Sequence, residues 1–230
     1  MNLGILYIVA TPIGNLGDIT FRAIETLKKA DMIACEDTRQ TVKLLNHYGI
    51  KKPLVSYFQH SKLSKVEYLI EQLKQGKDIA LVTDAGTPGI SDPGEKLIQQ
   101  LNNLTTEQFK IVPIPGASAF AAIASVSGID MSRFVFLGFP PHKKGRETFF
   151  KEVAAAKYPV IYYESPHRVI KNLELLKKLS SPPAGGKKII LGRELTKMFE
   201  EIVRGNVSDV LEYFQKNPGK VKGEFTIIIY

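Results

Sequence analysis

Short apolar runs alternate with amphipathic segments along the first half of the chain. Runs that are rich in β-branched residues and too short for helices predict strands over residues 3–10, 32–35, 54–57, 79–82 and 109–113. The segments between them carry apolar residues at helical intervals, which predicts helices over residues 19–27, up to about 48, over 65–74 and from 95 onward. Asp18 or Thr20 is placed to cap the first helix. Strands that alternate with helices in this way indicate an open α/β sheet.

The second half of the chain has more strands and fewer regular strand–helix alternations. Its pattern predicts strands that begin near residue 134 and cover residues 159–163, 188–192, 201–204 and 224–230. It predicts helices over residues 117–127, up to about 157, up to 179 and over 207–216. The last strand, EFTIIIY, must pair inside a sheet, because an exposed edge so rich in isoleucine promotes aggregation. We expect two α/β subdomains, residues 1–114 and 115–230, without a low-complexity linker between them.

The composition is that of a globular protein. The chain has 230 residues, of which 44% are hydrophobic and 23% charged, and no apolar run approaches the ~20 residues that cross a bilayer. The N-terminus lacks the charged region of a signal peptide, and the single cysteine, Cys35, excludes an intrachain disulfide and a cysteine-rich metal site. We therefore expect a cytoplasmic protein with no membrane contact. The net charge of +8 suits polyanions such as nucleic acid, although a lysine-rich composition alone also produces such an excess.

The stretch ALVTDAGTPGISDPG, residues 80–94, joins a predicted strand directly to a predicted helix. Gly86 and Gly89 allow positive φ angles and a close approach of the backbone to a ligand, and Asp84 offers acceptors for hydroxyl or amino groups. A strand, a glycine-rich loop and a helix form ligand sites at the carboxyl ends of strands in open α/β sheets. Taken alone, the stretch also fits an ordinary strand–helix loop, so the other strand ends decide between the two interpretations.

Polar residues gather after other predicted strands as well. After the second strand, either Asp37 caps the next helix while Glu36 pairs with Arg39, or this group contacts a substrate. The segments ESPHR (residues 164–168) and RELTK (residues 193–197) follow later strands in the same way, and Ser165 is placed to cap the helix after it. A basic loop, HKKGR, occupies residues 142–146. Because strand ends of α/β proteins meet at a cleft, the set indicates a site more strongly than any member.

Several common catalytic motifs are absent from the sequence. It contains no GxxxxGK[ST], no GxGxxG, no HExxH and no GxSxG, which argues against a nucleoside triphosphatase, an ordinary nicotinamide enzyme, a metalloprotease and an α/β-hydrolase. The four histidines have no metal-ligand spacing, so no metal site is expected.

Ordered motifs along nearly the whole chain resemble one known family. They are ATPIGNLGDIT, ACEDTR, LVTDAGTPGISDPG, PIPGASA, FLGFPP, YESPHR and GRELTK. In this order they resemble the ribosomal RNA small-subunit methyltransferase I family, which belongs to the tetrapyrrole-methylase fold superfamily. The resemblance implies a homodimer of two-subdomain α/β chains, each with S-adenosylmethionine in the cleft between its subdomains. It also implies 2′-O-methylation of a cytidine ribose in the decoding region of 16S ribosomal RNA, as free RNA or in the 30S subunit.

The resemblance further implies cofactor contacts, residue by residue, where the motifs match. These positions are Pro12, Asp84, Gly86, Thr87, Ile90, Ser118, Ala119, Glu164 and Leu195. In the first loop, TPIGN replaces the glycine-rich sequence that is usual in the superfamily, which favours the ribosomal branch over porphyrinoid substrates.

Transfer of a methyl group to a ribose hydroxyl needs precise positioning and a group that removes the hydroxyl proton. The residues leave the general base open among Glu36, Asp37, Glu164 and His167. Cations expected to bind RNA phosphates are Arg39, Lys143, Lys144, Arg146, Arg168, Arg193 and Lys197.

Two other functions compete with RNA methylation. One is a porphyrin- or corrin-type C-methyltransferase of the same fold, acting on uroporphyrinogen or a precorrin, whose polycarboxylate substrate would also suit the positive charge. The other is a non-catalytic RNA-binding ribosome-assembly factor. The intact DAGTP and PGASA loops argue against this second alternative, because a pure binding protein needs no cofactor site.

Overall fold

The computed structural model describes residues 3–57, 63–92, 94–104, 108–180 and 186–230. By its internal contacts the chain divides into two compact units, Met1–Ser118 and Ala119–Tyr230. The boundary proposed from the sequence, between residues 114 and 115, lies slightly earlier. In the described part of the chain, none of the helices combines the length and apolar character that a membrane span requires.

A five-stranded sheet organises the first unit, with the order β3-β2-β4-β1-β5 and parallel neighbours throughout. Its strands are β1 Ile5–Val9, β2 Met32–Cys35, β3 Leu54–Ser56, β4 Ile79–Val82 and β5 Lys110–Ile114. Its helices are α1 Phe21–Lys29, α2 Thr38–His47, α3 Leu63–Lys74 and α4 Gly94–Asn103. The α/β organisation predicted from the hydrophobic pattern is confirmed. Because the strands all run in one direction, their carboxyl ends lie at one edge of the sheet.

Both faces of the first sheet are buried. All residues of β2 and β4 are buried, as expected for central strands of a parallel sheet. On one face, Leu6 and Ile79 pack with Leu97 and other residues of α3 and α4. On the other face, Val9 packs with Leu27 and other residues of α1 and α2. This two-sided core fixes the strands and therefore the loops that leave their carboxyl ends.

A second five-stranded sheet organises the second unit, with the order β6-β7-β10-β8-β9. Its strands are β6 Val135–Phe136, β7 Val160–Glu164, β8 Lys188–Arg193, β9 Glu201–Asn206 and β10 Phe225–Ile229. Its helices are α5 Ala119–Ser125, α6 Arg146–Ala155, α7 Val169–Leu179 and α8 Val207–Lys216. The β6 and β7 strands are parallel, and the other neighbouring strands are antiparallel.

The isoleucine-rich strand β10 lies in the middle of the second sheet. It pairs with β7 on one side and β8 on the other, and all its residues are buried. The prediction that this strand is paired inside a sheet is therefore confirmed. On one face of the sheet, Tyr162 packs with Phe150 of α6, Leu173 of α7 and Phe214 of α8.

Local details differ from the sequence-based predictions at helix starts. Thr20 caps α1 by accepting a hydrogen bond from the Ala23 N–H at 3.1 Å, so Thr20 rather than Asp18 is the cap. The prediction that Ser165 caps α7 is wrong, because that helix begins only at Val169. The Ser165 hydroxyl instead accepts a hydrogen bond from Nε of Arg168 at 3.2 Å.

Candidate functional site

Three loops of the first unit leave the carboxyl edge of the parallel sheet after β1, β4 and β5, and hydrogen bonds join them to one another. Thr11, after β1, exchanges backbone hydrogen bonds of 2.9 and 3.1 Å with Gly86, after β4. The buried Thr11 hydroxyl also donates to the carbonyl of Thr83 at 3.1 Å. The Thr87 hydroxyl donates to the carbonyl of Ala117, after β5, at 3.2 Å. The loops that carry the predicted contacts of this unit are thus held together as one framework.

The loop between β4 and α4 has the backbone shape that its glycines predicted. Gly86 and Gly89 adopt φ angles of 86° and 85°, which only glycine adopts without strain. Oδ1 of Asp92 accepts hydrogen bonds from the N–H groups of Gly89 at 2.7 Å and Gly94 at 2.8 Å. These bonds fix the loop before any ligand binds, which lowers the entropic cost of binding.

The residues of the first unit that are predicted to contact the cofactor take different positions in this framework. Pro12 is buried directly after the Thr11–Gly86 pair. Thr87 and Ile90 line a cavity of about 580 Å³ that extends along β5 and along α4 as far as Asn103. Ser118 is partly exposed beyond β5. The predicted contacts of the first unit therefore lie on the three loops that these hydrogen bonds join.

Glu36 directly follows β2 and lies partly buried beside β4. Its Oε2 accepts a hydrogen bond from the Thr83 hydroxyl at 3.1 Å. Burial raises the pKa of Glu36, and the carboxylates of Asp84 and Asp92 raise it further, while the Thr83 hydrogen bond opposes them. Partial burial likewise raises the pKa of Asp84. A carboxyl group whose pKa is raised at a strand end suits general acid–base chemistry.

Asp37 and Arg39 form a separate pair at the start of α2. Asp37 caps the helix by accepting from the Arg39 N–H at 2.8 Å, as predicted, and its Oδ2 lies 2.7 Å from Nη2 of Arg39. The expectation that Glu36 pairs with Arg39 is therefore wrong: the guanidinium is held by the capping carboxylate, and Glu36 faces Thr83. Hydrogen bonds from Arg39 lower the pKa of Asp37 to about 2, which makes this carboxylate a weak base.

In the second unit, the turn after β7 is built on a buried carboxylate. The Glu164 side chain is fully buried, and its Oε1 accepts from the Ser165 N–H at 2.7 Å and lies 3.3 Å from Nε of Arg168. Its Oε2 accepts from the side-chain amide of Asn172. Arg168 also donates to the carbonyl of Pro140 at 2.9 Å. His167, one of the base candidates, is exposed at the tip of this turn.

The turn after β8 holds its backbone in an unusual conformation. Glu194 and Thr196, on either side of the buried Leu195, have φ angles of 52° and 65°. Non-glycine residues adopt such angles rarely, and each costs on the order of 1–3 kcal/mol, which is typical of functional sites. The Thr196 hydroxyl is buried and has no hydrogen-bond partner among the described residues, so a ligand could satisfy this polar group.

The predicted RNA-binding cations fall into two groups. Four of these cations form ion pairs with carboxylates. The pairs are Arg39 with Asp37, Arg168 with Glu164, Arg193 with Glu201, and Lys197 with both Glu194 and Glu224. By contrast, Lys143 and Lys144 are exposed, Arg146 begins α6 partly exposed, and none of the three has an ion pair with any described residue. The second group is thus free to bind phosphate.

Some residues of the site were not predicted from the sequence. Thr83 and Thr11 join the loops of the first unit, and Asn172 completes the Glu164 network. Their partners lie far away in sequence, so no local pattern marks them. Phe139 is 53% exposed; its motif, FLGFPP, was recognised, but no role was assigned to it. Within the described ranges, no group of three or more metal-ligating side chains could hold a metal ion.

Known proteins resemble this chain over nearly its whole length. Residues 5–211 match the family model described as Tetrapyrrole (Corrin/Porphyrin) Methylases. A Ribosomal RNA small subunit methyltransferase I from Haemophilus influenzae is 44% identical, over 98% of this chain and 78% of that protein. The protein of the same name from Bacillus subtilis is 44% identical, over 99% of this chain and 75% of that protein. The one from Thermotoga maritima is 39% identical, over 99% of this chain and 98% of that protein.

Solved structures with the same fold are more distant in sequence. The methyltransferase CobJ superposes with a TM-score of 0.72 at 17% identity and covers 98% of this chain and 93% of its own. A cobalt precorrin-4 methyltransferase of cobalamin biosynthesis superposes with a TM-score of 0.70 at 18% identity, covering 97% and 93%. At such identities the likeness concerns the fold alone.

Proposed function

Because the chain belongs to the ribosomal RNA small subunit methyltransferase I family of tetrapyrrole methylases, we propose that it methylates small-subunit ribosomal RNA with S-adenosylmethionine. The methyl acceptor is the 2′-hydroxyl of a cytidine ribose in the decoding region, in free RNA or in the assembled 30S subunit. The observation that most supports the proposal is the framework of hydrogen-bonded loops at the carboxyl edge of the first sheet, where α/β proteins bind ligands.

The loops of the first unit fit the chemistry of S-adenosylmethionine. Gly86 lacks a Cβ, so the backbone can approach the ligand closely, and Asp84 can accept hydrogen bonds from ribose hydroxyls or from the amino group. Pro12 and Ile90 supply apolar surface, and Thr87 holds its loop to Ala117. The bound cofactor supplies an electrophilic methyl group. In the second unit, Ala119 and Leu195 remain proposed contacts of the cofactor. The Thr196 hydroxyl, next to Leu195 in the chain, has no hydrogen-bond partner among the described residues and supports a ligand there.

We assign the general base to Glu36 among the four candidates. Glu164 has its oxygens occupied by three donors and is fully buried, so it positions the turn rather than accepting a substrate proton. The pKa of Asp37 is lowered to about 2 by Arg39. His167 is exposed, and no contact in the described chain orients it. Glu36 combines a raised pKa with an oriented carboxylate, the two properties that a base needs near neutral pH.

The remaining assignments rest on the family. We propose a cytoplasmic homodimer with no membrane contact. Its residues Lys143, Lys144 and Arg146 bind phosphates of the RNA substrate. Arg168, Arg193 and Lys197 shape the two turns of the second unit through their ion pairs. Arg39 stays available at the first sheet, since its side chain is 86% exposed despite its pair with Asp37.

The direct test offers S-adenosylmethionine with a deuterated methyl group, together with under-methylated small-subunit RNA, assembled 30S subunits, or uroporphyrinogen. We expect deuterated 2′-O-methylcytidine after nuclease digestion and mass spectrometry of the nucleosides. A label on a base, or on uroporphyrinogen alone, would contradict the proposed acceptor. If titration calorimetry detects no binding of S-adenosylmethionine, the result would instead favour the non-catalytic assembly factor.

A further inference from the structure

A row of aromatic rings crosses one face of the second unit. Phe120 of α5 lies 6.3 Å from Phe134 and 5.1 Å from Phe136, between ring centroids. Tyr163 of β7 lies 5.1 Å from Phe136 and 5.3 Å from Phe139. The two end members are open to solvent, Phe134 at 39% and Phe139 at 53% exposure. Burial of such a ring stabilises a protein by about 1.5–3 kcal/mol, and the fold forgoes part of this at Phe139.

Phe139 is exposed on a rigid backbone. The Gly138 carbonyl before it accepts from the Tyr163 N–H at 2.8 Å, and the Pro140 carbonyl after it accepts from Arg168 at 2.9 Å. Pro140 itself is buried. The ring therefore stands between two anchored residues and packs against the Tyr163 ring, with 58° between the two ring planes. A ring that is held in place before binding loses little entropy when a partner stacks on it.

Cations that lack carboxylate partners follow directly in the chain. Lys143, Lys144 and Arg146 lie four to seven positions after Phe139 and pair with no described carboxylate. The exposed His167 belongs to the turn that Arg168 ties to Pro140. Proteins bind single-stranded nucleic acid with exposed aromatic rings, on which bases stack, and with cations, which contact the phosphates; here such cations follow the ring by a few positions in the chain.

We propose that Phe139 is a stacking platform for an unpaired base of the RNA substrate, with Lys143 and Lys144 on the adjoining phosphates. This inference rests on the proposed function and names the surface that selects single-stranded RNA. Charge favours RNA over a second copy of the chain, because a two-fold contact through this surface would bring the same unpaired cations face to face.

The chain contains no tryptophan, so Phe139→Trp introduces a single fluorescent reporter. We expect its fluorescence to be quenched by a single-stranded RNA fragment of the substrate region and not by heparin, which is a polyanion without bases. Phe21→Trp, at a residue 88% exposed on α1, is the matched control and should respond to neither. Equal quenching by RNA and heparin, or none, would overturn the stacking contact.

Affinity and kinetics give a second, independent readout. Loss of one base–aromatic stacking contact costs about 1–3 kcal/mol of binding free energy, so Phe139→Ala should weaken RNA binding about 5- to 150-fold. KM should rise, while kcat and the salt dependence of Kd should stay unchanged. Phe139→Leu should not restore binding, whereas Phe139→Tyr should. Lys143→Ala with Lys144→Ala should instead reduce the slope of log Kd against log salt by roughly 1.4, because each single-strand phosphate contact contributes about 0.7.

The outcomes separate this inference from the proposed function. If the wild-type protein methylates RNA and Phe139→Ala has the same Kd and KM, the stacking platform is overturned and the proposed function stands. Wild-type protein that neither binds nor methylates RNA overturns the function itself. Sedimentation that shows Phe139→Ala to be monomeric where the wild type is dimeric would assign the surface to subunit contact and also overturn the platform.

Discussion

Removal of the Glu164 carboxylate tests whether that residue is structural. In Glu164→Ala, the Arg168 guanidinium, whose side chain is 15% exposed, stays partly buried without its partner, and the Ser165 N–H and Asn172 amide lose their acceptor. Breaking a buried ion pair by removing one partner costs about 3–5 kcal/mol. Such a loss is a large share of a total stability of about 5–15 kcal/mol. We expect the melting temperature of the 230-residue chain to fall by about 6–20 °C.

The matched control is Glu147→Ala, which breaks another ion pair between residues i and i+4. Glu147 lies 2.7 Å from Lys151, but both side chains are more than half exposed, so its removal should leave stability unchanged within error. Urea unfolding followed by circular dichroism measures both variants, and hydrogen exchange over β7 and α7 locates the loss. If Glu164→Ala unfolds like the wild type yet no longer binds S-adenosylmethionine, Glu164 is a direct ligand and the structural assignment is refuted.

Three further predictions concern the first unit. Glu36→Gln should lower methyl transfer by about 10²–10⁴-fold. Because folding raises the pKa of Glu36, the protonated carboxyl group stabilises the fold at low pH, and this contribution is lost as pH rises through the folded-state pKa. The free energy of unfolding of Glu36→Gln should therefore exceed that of the wild type at neutral pH and equal it in acid. Gly86→Ala and Gly49→Ala, at φ angles of 86° and 63°, should each lose about 1–2 kcal/mol, but only the first should weaken S-adenosylmethionine binding in calorimetry. Arg39→Ala should raise the pKa of Asp37 from about 2 toward its ordinary value near 3.9 in a carboxyl NMR titration; an unchanged pKa would contradict the pairing.

The order of strands and helices could be predicted from the sequence because local periodicity encodes it. Strands such as β2 and β4 are continuous apolar runs, which is the pattern of strands buried on both faces. The antiparallel pairing in the second sheet was not predicted, since neighbours such as β7 and β10 are distant in the chain. The start of α7 was misplaced for a related reason: Arg168 turns back to the buried Glu164 instead of continuing a helix capped by Ser165.

The candidate site was predictable in its location and less so in its roles. Glycines that need positive φ, such as Gly86 and Gly89, mark a loop unambiguously, and both were identified. Charge alone does not tell a free cation from a paired one: Lys143 and Arg193 look equivalent in sequence, yet among the described residues Arg193 has a carboxylate partner and Lys143 has none. Only the folded chain brings Thr83 to Glu36, so the contact on which the proposed base assignment rests could not be predicted from the sequence.

The most direct test of the central claim is a map of ribose methylation on small-subunit RNA from cells without this protein. We expect that one 2′-O-methylcytidine in the decoding region disappears, returns with the wild-type protein, and does not return with Glu36→Gln. Ribose methylation that is unchanged throughout the RNA in the absence of the protein would contradict this expectation.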